Sequence, residues 1–449
     1  MSVETDSPIH SSSSDDFAAL LDAELESGSD VPSDSDDDND DVVDDDRRCK
    51  RLKVEVLEEA QVSTSYGVSK ENSDGTIQIS CPHPGFFRDM CIRCGERVND
   101  VGGVVPFKYI HKDLRLGTDE ISRLRDSDVR SVLGRKKLYL ILDLDHTLLN
   151  SSRLDDISLE EEYLHSRTDS LQDISKGSLF RLDMMRMMTK LRPFVRNFLQ
   201  EASQIFEMYI YTMGEHAYAI EMAKLLDPEN LYFNSRVISQ ADCTERHQKG
   251  LDVVLGQESA VLILDDTEFV WQKHKDNLIL MDRYHFFSSS CRQFKHDCKS
   301  LSELKSDENE LDGALATILG VLKRIHGKFF DPSIGDDYAA RDVRQVRREV
   351  RKEVLKDCKI VFTRVIPKEG PPNDHRLWKM AEQLGATCST KLGASITHVV
   401  SLDPGTDKSR WAVREGKFLV HPRWLDAANY LWQRQPEDKF PVVSTKKNS

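Results

Sequence analysis

No stretch of this 449-residue chain approaches the roughly 18 consecutive apolar residues that a membrane-spanning helix needs. The opening MSVETDSPIH lacks the basic-then-apolar order of a secretory leader. Cysteine is sparse, with nine residues and no regular framework, which fits a reducing compartment better than an oxidising one. The expectation is an intracellular protein with no membrane partner. Lysine and arginine are absent from residues 1–46, where 17 aspartates and glutamates crowd together. That arm accounts for the whole net charge of −15, so the remainder is close to neutral. Direct nucleic-acid binding is not expected from such a body.

Residues 1–75 read as a disordered acidic arm. DSDDDNDDVVDDD (34–46) cannot bury enough apolar surface to offset its ordering entropy and self-repulsion. Within the arm, FAALLDAEL (17–25) sets Phe17, Ala18, Leu20 and Leu21 near one helical face, which is either a docking segment or a weak helix. RRCKRLK (47–53) is a nuclear-import signal or a counterweight to the acidic run. Residues 76–105 are rich in cysteine and histidine. In CPHPGFFRDMCIRCG, Cys81, His83, Cys91 and Cys94 offer the ligands of a small structural zinc knuckle, and reduced cysteines are the alternative.

Between 106 and 300 the pattern turns globular. KKLYLILDLD (136–145), EMYIYT (207–212), AVLILDD (260–266) and NLILM (277–281) are short apolar runs, the first three separated by helical patterns. In PFVRNFLQEA (193–202), Phe194, Val195, Phe198, Leu199 and Ala202 share one face, with Pro193 suited to the first turn. Such alternation predicts a parallel sheet covered on both faces, with ligands beyond the carboxyl ends of its strands. Three runs end there on polar residues: Asp143 and Asp145, Thr212, and Asp265 with Asp266.

Several carboxylates at one end of a sheet are costly unless a cation sits among them, and hard oxygen ligands suit magnesium. A phosphate beside that ion accounts for the rest. Asp143 can attack phosphorus as a nucleophile. Asp145, which a continuing strand would turn to the other face, must lie in a loop, where it can act as general acid and base. Thr212 would donate to phosphoryl oxygens, and Lys249 in HQKGLDVVLG (247–256) would offset the developing charge.

The order Asp143-x-Asp145-x-Thr147, Thr212, Lys249, Asp265-Asp266 resembles the haloacid-dehalogenase superfamily of aspartate-based phosphotransferases. More narrowly, DLDHTLL (143–149), KLRPFV (190–195), YTMGEHAYA (211–219), ILDDTEFVW (263–271) and YHFF (284–287) are similar to phosphatases of the RNA polymerase II C-terminal domain. The BRCT-bearing group, and the plant phosphatase-like members in it, resemble the chain most. The resemblance implies Asp143 as the phosphorylated nucleophile, and Asp145 as acid/base with its backbone carbonyl on magnesium. Asp266 would complete the metal shell beside Asp265. Thr212 and Lys249 would hold the phosphoryl group, and Arg236 in SRVIS (235–239) would lie near it. His146 stands where many superfamily members carry glycine, and is expected to narrow the approach.

Asp145 and Thr212 are 67 positions apart, and Thr212 and Lys249 only 37. Neither gap houses a full cap domain, which predicts an open site fit for an extended peptide. LFRLDMM (179–185) reads as part of a groove, a small flap or an edge hairpin. Residues 301–350 read as a helical linker, with Val343, Val346, Val350 and Val354 facing a neighbour.

Residues 351–440 show a β–α–β–β–α–β–α order that resembles a BRCT domain, with Gly385-Ala386 at a tight turn and Trp424 in the core. Thr363 and Lys408 occupy the places where BRCT domains hold phosphopeptides, although Arg364 replaces the usual glycine; a general protein-binding module is the other reading. Residues 441–449 form a tail. The expected fold class is α/β: a Rossmann-like parallel sheet of the haloacid-dehalogenase type plus a small α/β BRCT domain. The expected function is a nuclear, magnesium-dependent protein serine phosphatase acting on the phosphorylated polymerase tail through an aspartyl-phosphate. Transcription factors would be recruited by the BRCT domain or the acidic arm. An idle scaffold is one alternative, against which intact Asp143 and Asp145 speak. A small-metabolite phosphatase is another, disfavoured by the missing cap.

Overall fold

The computed structural model describes residues 81–98, 102–295, 298–335, 337–367 and 369–443. The acidic arm, its 17–25 segment, the basic cluster and most of the final tail lie outside the described residues.

Four short strands come first: β1 (Gly85–Phe87), β2 (Met90–Cys91), β3 (Val104–Pro106) and β4 (Leu114–Gly117), an antiparallel sheet ordered β2-β1-β4-β3. A boundary at 105 would cut through β3. The Cys/His segment cannot form a core from its own residues, so it shares a cluster with Phe107, Leu114 and Leu116 and with Ile121 and Leu124 of helix α1 (Thr118–Gly134).

The chain then enters β5 (Leu138–Leu142). It next makes a small antiparallel sheet from β6 (Leu149–Arg153), β7 (Leu179–Leu182) and β8 (Met187–Leu191), ordered β6-β8-β7. LFRLDMM thus forms an edge hairpin. Phe180 is fully buried, and at the hairpin tip Met184 is exposed. Helix α2 (Val195–Ala202), β9 (Phe206–Tyr211), α3 (His216–Leu226), β10 (Val237–Ile238), β11 (Val261–Asp265) and β12 (Leu278–Leu280) follow. The five-stranded sheet runs β10-β9-β5-β11-β12, every pair parallel. Central β5 and β11 are buried at every residue, which is why both read as unbroken apolar runs. Two-residue β10 at the edge is too short to show a period. Phe194 adopts a left-handed conformation (φ 69°), which leaves Pro193 in the turn before α2 rather than in its first turn.

After the short α4 (Ser288–Gln293), two helices within 301–350 each bury a face in the main core. Helix α5 (Ala314–Phe329) buries Leu315, Ile318, Leu322, Ile325 and Phe329 in the main apolar cluster. Helix α6 (Val343–Lys352) buries Val343 and Val350 beside it. The C-terminal unit is β13 (Lys359–Thr363), α7 (Arg376–Gln383), β14 (Thr387–Ser389), β15 (His398–Ser401), α8 (Asp407–Arg414), β16 (Phe418–Val420) and α9 (Arg423–Leu431). Its strands form an all-parallel sheet ordered β14-β13-β15-β16.

Helix α6 ties the two units together. Arg347 donates to the Leu278 carbonyl of β12, with its guanidinium 5.4 Å over the Trp432 ring. Arg351 donates to Asn429 Oδ1 at 2.6 Å. At the far end of α6 the Lys352 carbonyl meets Gly385, whose φ of 97° no β-carbon would suit. Gly385→Ala should therefore meet both strain and a backbone clash. A loss of about 3 kcal/mol in urea unfolding is expected.

Candidate active site

The site is assembled where β5 ends. Asp143 N still donates to the Leu264 carbonyl at 3.0 Å, so β11 fixes its position although the strand has stopped. The chain then turns: the Leu144 carbonyl accepts from Thr147, Leu148 and Leu149, and His146 takes φ 62°. That angle explains why glycine serves well here. The His146 ring is buried edge-on against Phe294 at 5.0 Å, so packing absorbs its bulk and it does not narrow the approach. Arg192 clamps the turn from below. Its guanidinium donates to the carbonyls of Thr147 (3.0 Å) and Asp282 (3.0 Å) and pairs with both oxygens of Glu308.

Lys249 is the centre of the charge arrangement. Its buried Nζ donates to Asp143 Oδ1 at 2.6 Å and Asp265 Oδ2 at 2.7 Å. Burial opposes its charge, yet these two carboxylates hold it protonated, above the usual lysine range. Burial and the neighbouring Asp265 charge push Asp143 well above the ordinary carboxylate range. Asp265 is also raised by burial, with Lys249 pulling the other way. Both its oxygens are engaged: Thr267 N donates to one at 2.8 Å, Trp271 Nε1 and Lys249 to the other. Asp265 is therefore shaped to orient Lys249 rather than to offer a free oxygen to a metal. Asp266 differs, since burial would raise it but Arg283, with Nε 2.6 Å from Oδ2, carries it below the usual range.

Oxygens of Asp143, Asp265 and Asp266 lie within 4.8 Å of one another, those of Asp265 already accepting from Lys249, Trp271 and Thr267. Buried hard donors with more negative than positive charge fit magnesium, which would also draw the raised carboxyls back to their ionised form. The Asp145 carboxylate stands outside that group. It accepts a bond from the Tyr218 hydroxyl of α3, which in turn meets Ser151 Oγ at 2.9 Å. Burial raises Asp145, and Tyr218 pulls it partly back. Asp143 and Asp145, with one residue between them, thus meet different environments, one paired with the Lys249 ammonium and one bonded to a neutral hydroxyl. Thr212 ends β9 with its hydroxyl accepting from Gly214 N at 2.9 Å, leaving its own proton to donate.

Arg236 is a correction. It precedes β10, at the amino end of the sheet, and donates to the carbonyls of Met208 (3.0 Å) and Tyr232 (3.1 Å) while pairing with Glu207. The aspartate cluster with Lys249 lies at the opposite end. Tyr218, Arg192, Trp271 and Arg283 were missed as site residues. The first three lie inside the quoted motifs, where a polar group within an apolar run was the available signal.

Elsewhere, the sulfurs of Cys81 and Cys91 lie 3.8 Å apart, and Cys94 Sγ lies 3.6 Å from His83 Nδ1. In the C-terminal unit Thr363 Oγ1 is 3.4 Å from Thr406 Oγ1. Lys408 Nζ donates to the carbonyls of Phe362 (3.2 Å) and Thr390 (3.1 Å). Thr363 and Lys408 thus share one edge, next to Arg364 at φ 56°.

Residues 138–312 match the family described as NLI interacting factor-like phosphatase, and residues 358–424 match the twin BRCT domain. The chain is 60% identical over 451 residues to RNA polymerase II C-terminal domain phosphatase-like 4 of Arabidopsis thaliana, covering 100% of this chain and 99% of that one. It is 42% identical to phosphatase-like 3 of the same plant, over 73% of this chain and 28% of that longer protein. Among solved structures, that of Fcp1, an essential RNA polymerase II CTD phosphatase, superposes with a TM-score of 0.55 at 25% identity, covering 72% of this chain and all of the other.

Two outcomes are expected at this site. Arg192→Ala should destabilise the fold by about 3 kcal/mol in urea unfolding, because Glu308 and the turn carbonyls lose their donor. Tyr218→Phe removes the donor that lowers Asp145. The limb of the pH–rate profile that reports this carboxyl should therefore move to higher pH, with a lower kcat.

Proposed function

We propose that this chain, which belongs to the family of RNA polymerase II C-terminal domain phosphatases, removes phosphate from phosphoserine in that polymerase tail. It is a phosphoprotein phosphatase, a hydrolase with a BRCT domain. The observation that carries the reading of the site is the buried contact of Asp143 with Lys249, set beside an Asp145 held apart by Tyr218.

In the first half-reaction an Asp143 oxygen bonds to phosphorus as the serine oxygen leaves. Asp145, whose carboxyl burial raises and which Tyr218 holds apart from Asp143, gives that oxygen its proton. In the second, Asp145 takes a proton from water as the water oxygen bonds to phosphorus, and the Asp143–phosphate bond breaks. Lys249 and the Thr212 hydroxyl hold the phosphoryl oxygens through both steps, where their fixed positions cost no reorganisation. Asp265 keeps Lys249 aimed. Asp143, Asp266 and the Asp145 carbonyl would hold magnesium, which would supply the positive charge that lets carboxylate and phosphate approach each other. The soft Cys81–His83–Cys91–Cys94 set suits structural zinc instead and takes no part in this chemistry.

The small β6-β8-β7 sheet stands where a cap domain would be, which supports a site open to an extended peptide. The substrate sets the protein's work in the nucleus, with residues 47–53 as the import signal. The BRCT edge at Thr363 and Lys408 and the acidic arm serve to recruit transcription factors.

The test is phosphate release from heptad-repeat peptides phosphorylated at single serines. Release should require magnesium, stop with EDTA, and fall at least about 1,000-fold in Asp143→Asn. Turnover that survives Asp143→Asn would sink the aspartyl-phosphate mechanism; turnover of small esters alone would sink the peptide substrate.

A further inference from the structure

The four donor atoms of Cys81, His83, Cys91 and Cys94 lie within 4.8 Å of one another. A disulfide would bring two sulfurs to about 2 Å. A zinc tetrahedron, with Zn–S near 2.3 Å and Zn–N near 2.0–2.1 Å, has sulfur–sulfur edges of about 3.8 Å and sulfur–nitrogen edges of about 3.6 Å. The separations here are 3.8 Å and 3.6 Å. The peptide between the last two cysteines is bent to match. Arg93 N donates to Cys91 Sγ at 3.3 Å, Gly95 N donates to the Cys91 carbonyl at 2.9 Å, and Gly95 takes φ 76°. His83 Nε2 faces Glu96 at 3.7 Å, the kind of partner that orients a metal-bound imidazole.

From this knuckle a continuous path leads to the active site. Strand β1, between the two ligand pairs, bonds to β4, and Gly117 N closes on the Pro84 carbonyl at 2.8 Å. Strand β4 runs without a break into α1. From α1, Arg125 donates to three carbonyls, of Leu251 (2.5 Å), Asp252 (3.0 Å) and Val254 (2.8 Å). Those carbonyls belong to the turn that begins two residues after Lys249. A cleft of about 400 Å³ lined in part by Arg125 and Lys249 lies beside the turn, whose Leu251, Val253 and Val254 are buried in the main core, so Arg125 ties the loop down on its open side. Leu255 packs into the apolar cluster of the zinc-side sheet, which makes a second tie.

We propose that a zinc ion on Cys81, His83, Cys91 and Cys94 fastens a brace that, through Arg125, positions the loop carrying Lys249. Arg125 is a positioning residue, and the zinc sets activity without touching substrate. The activity readout rests on the phosphatase reading; metal content and hydrogen exchange do not.

The full chain, purified without chelator, is analysed for metal by mass spectrometry and for amide exchange across 249–256. Phosphatase kinetics are run at saturating magnesium. One zinc per chain is expected. Cys94→Ser should lose it, speed exchange across 249–256, and lower kcat about 10- to 100-fold while KM stays within about two-fold. Arg125→Ala should keep the zinc and reproduce the exchange and kcat changes, and it reads the brace if Cys94→Ser does not fold. Zinc-free wild-type chain would overturn the metal assignment. Unchanged exchange and kcat in Arg125→Ala would overturn the brace. A wild-type chain that holds zinc and protects 249–256 yet releases no phosphate would sink the phosphatase reading and leave the brace standing.

Discussion

Everything at the catalytic end of the sheet depends on one buried ammonium. Lys249 sits between Asp143 and Asp265 at 2.6 and 2.7 Å, and removing it would leave carboxylates in a water-poor pocket with nothing to balance them. The same contact fixes geometry. Lys249 approaches from the loop after β10, Asp143 from β5 and Asp265 from β11, so one lysine registers three separate stretches of chain. Trp271 and Thr267 complete the arrangement by filling the remaining acceptor positions of Asp265. In the proposed reaction a substrate phosphate would meet a cation that folding has already set in place.

Around that centre, neighbouring groups give chemically identical side chains different tasks. Arg283 draws Asp266 down, Tyr218 meets Asp145, and Lys249 meets Asp143. No aspartate here could exchange places with another. The distinction arises one shell outward from the residues that would touch phosphate, on helix α3 and on the segment after β12.

That outward position explains what could be read in the sequence and what could not. Asp143, Asp145, Thr212 and Asp265-Asp266 sit at the ends of apolar runs, where a polar side chain is conspicuous, and the runs themselves became β5, β9, β11 and β12, whereas Lys249 was picked out by its place in the motif order. The strand–helix order of the C-terminal unit was legible for the same reason. Arg236 misled because SRVIS shows neither that it forms β10 nor at which end of that strand the arginine lies. Tyr218 and Arg283 were hidden because their value comes from a partner 73 or 17 positions away. The helices of 301–350 looked like a linker because amphipathicity reveals that a face is buried, not against what. The acidic arm and basic cluster lie outside the described residues.

The burial of α5 and α6 has a consequence for how the protein comes into being. Leu315, Ile318, Leu322, Ile325, Phe329, Val343 and Val350 belong to the same apolar cluster as β5 and β11, although they follow those strands by some 50 to 200 residues. During synthesis every acidic residue of the site leaves the ribosome before α5 and α6, which complete the apolar cluster around its sheet. Until then the nascent chain leaves exposed the apolar surface that those helices will bury, a state in which a growing polypeptide is prone to aggregate. The cluster therefore closes late, only after α6 and the C-terminal unit that continues it have emerged.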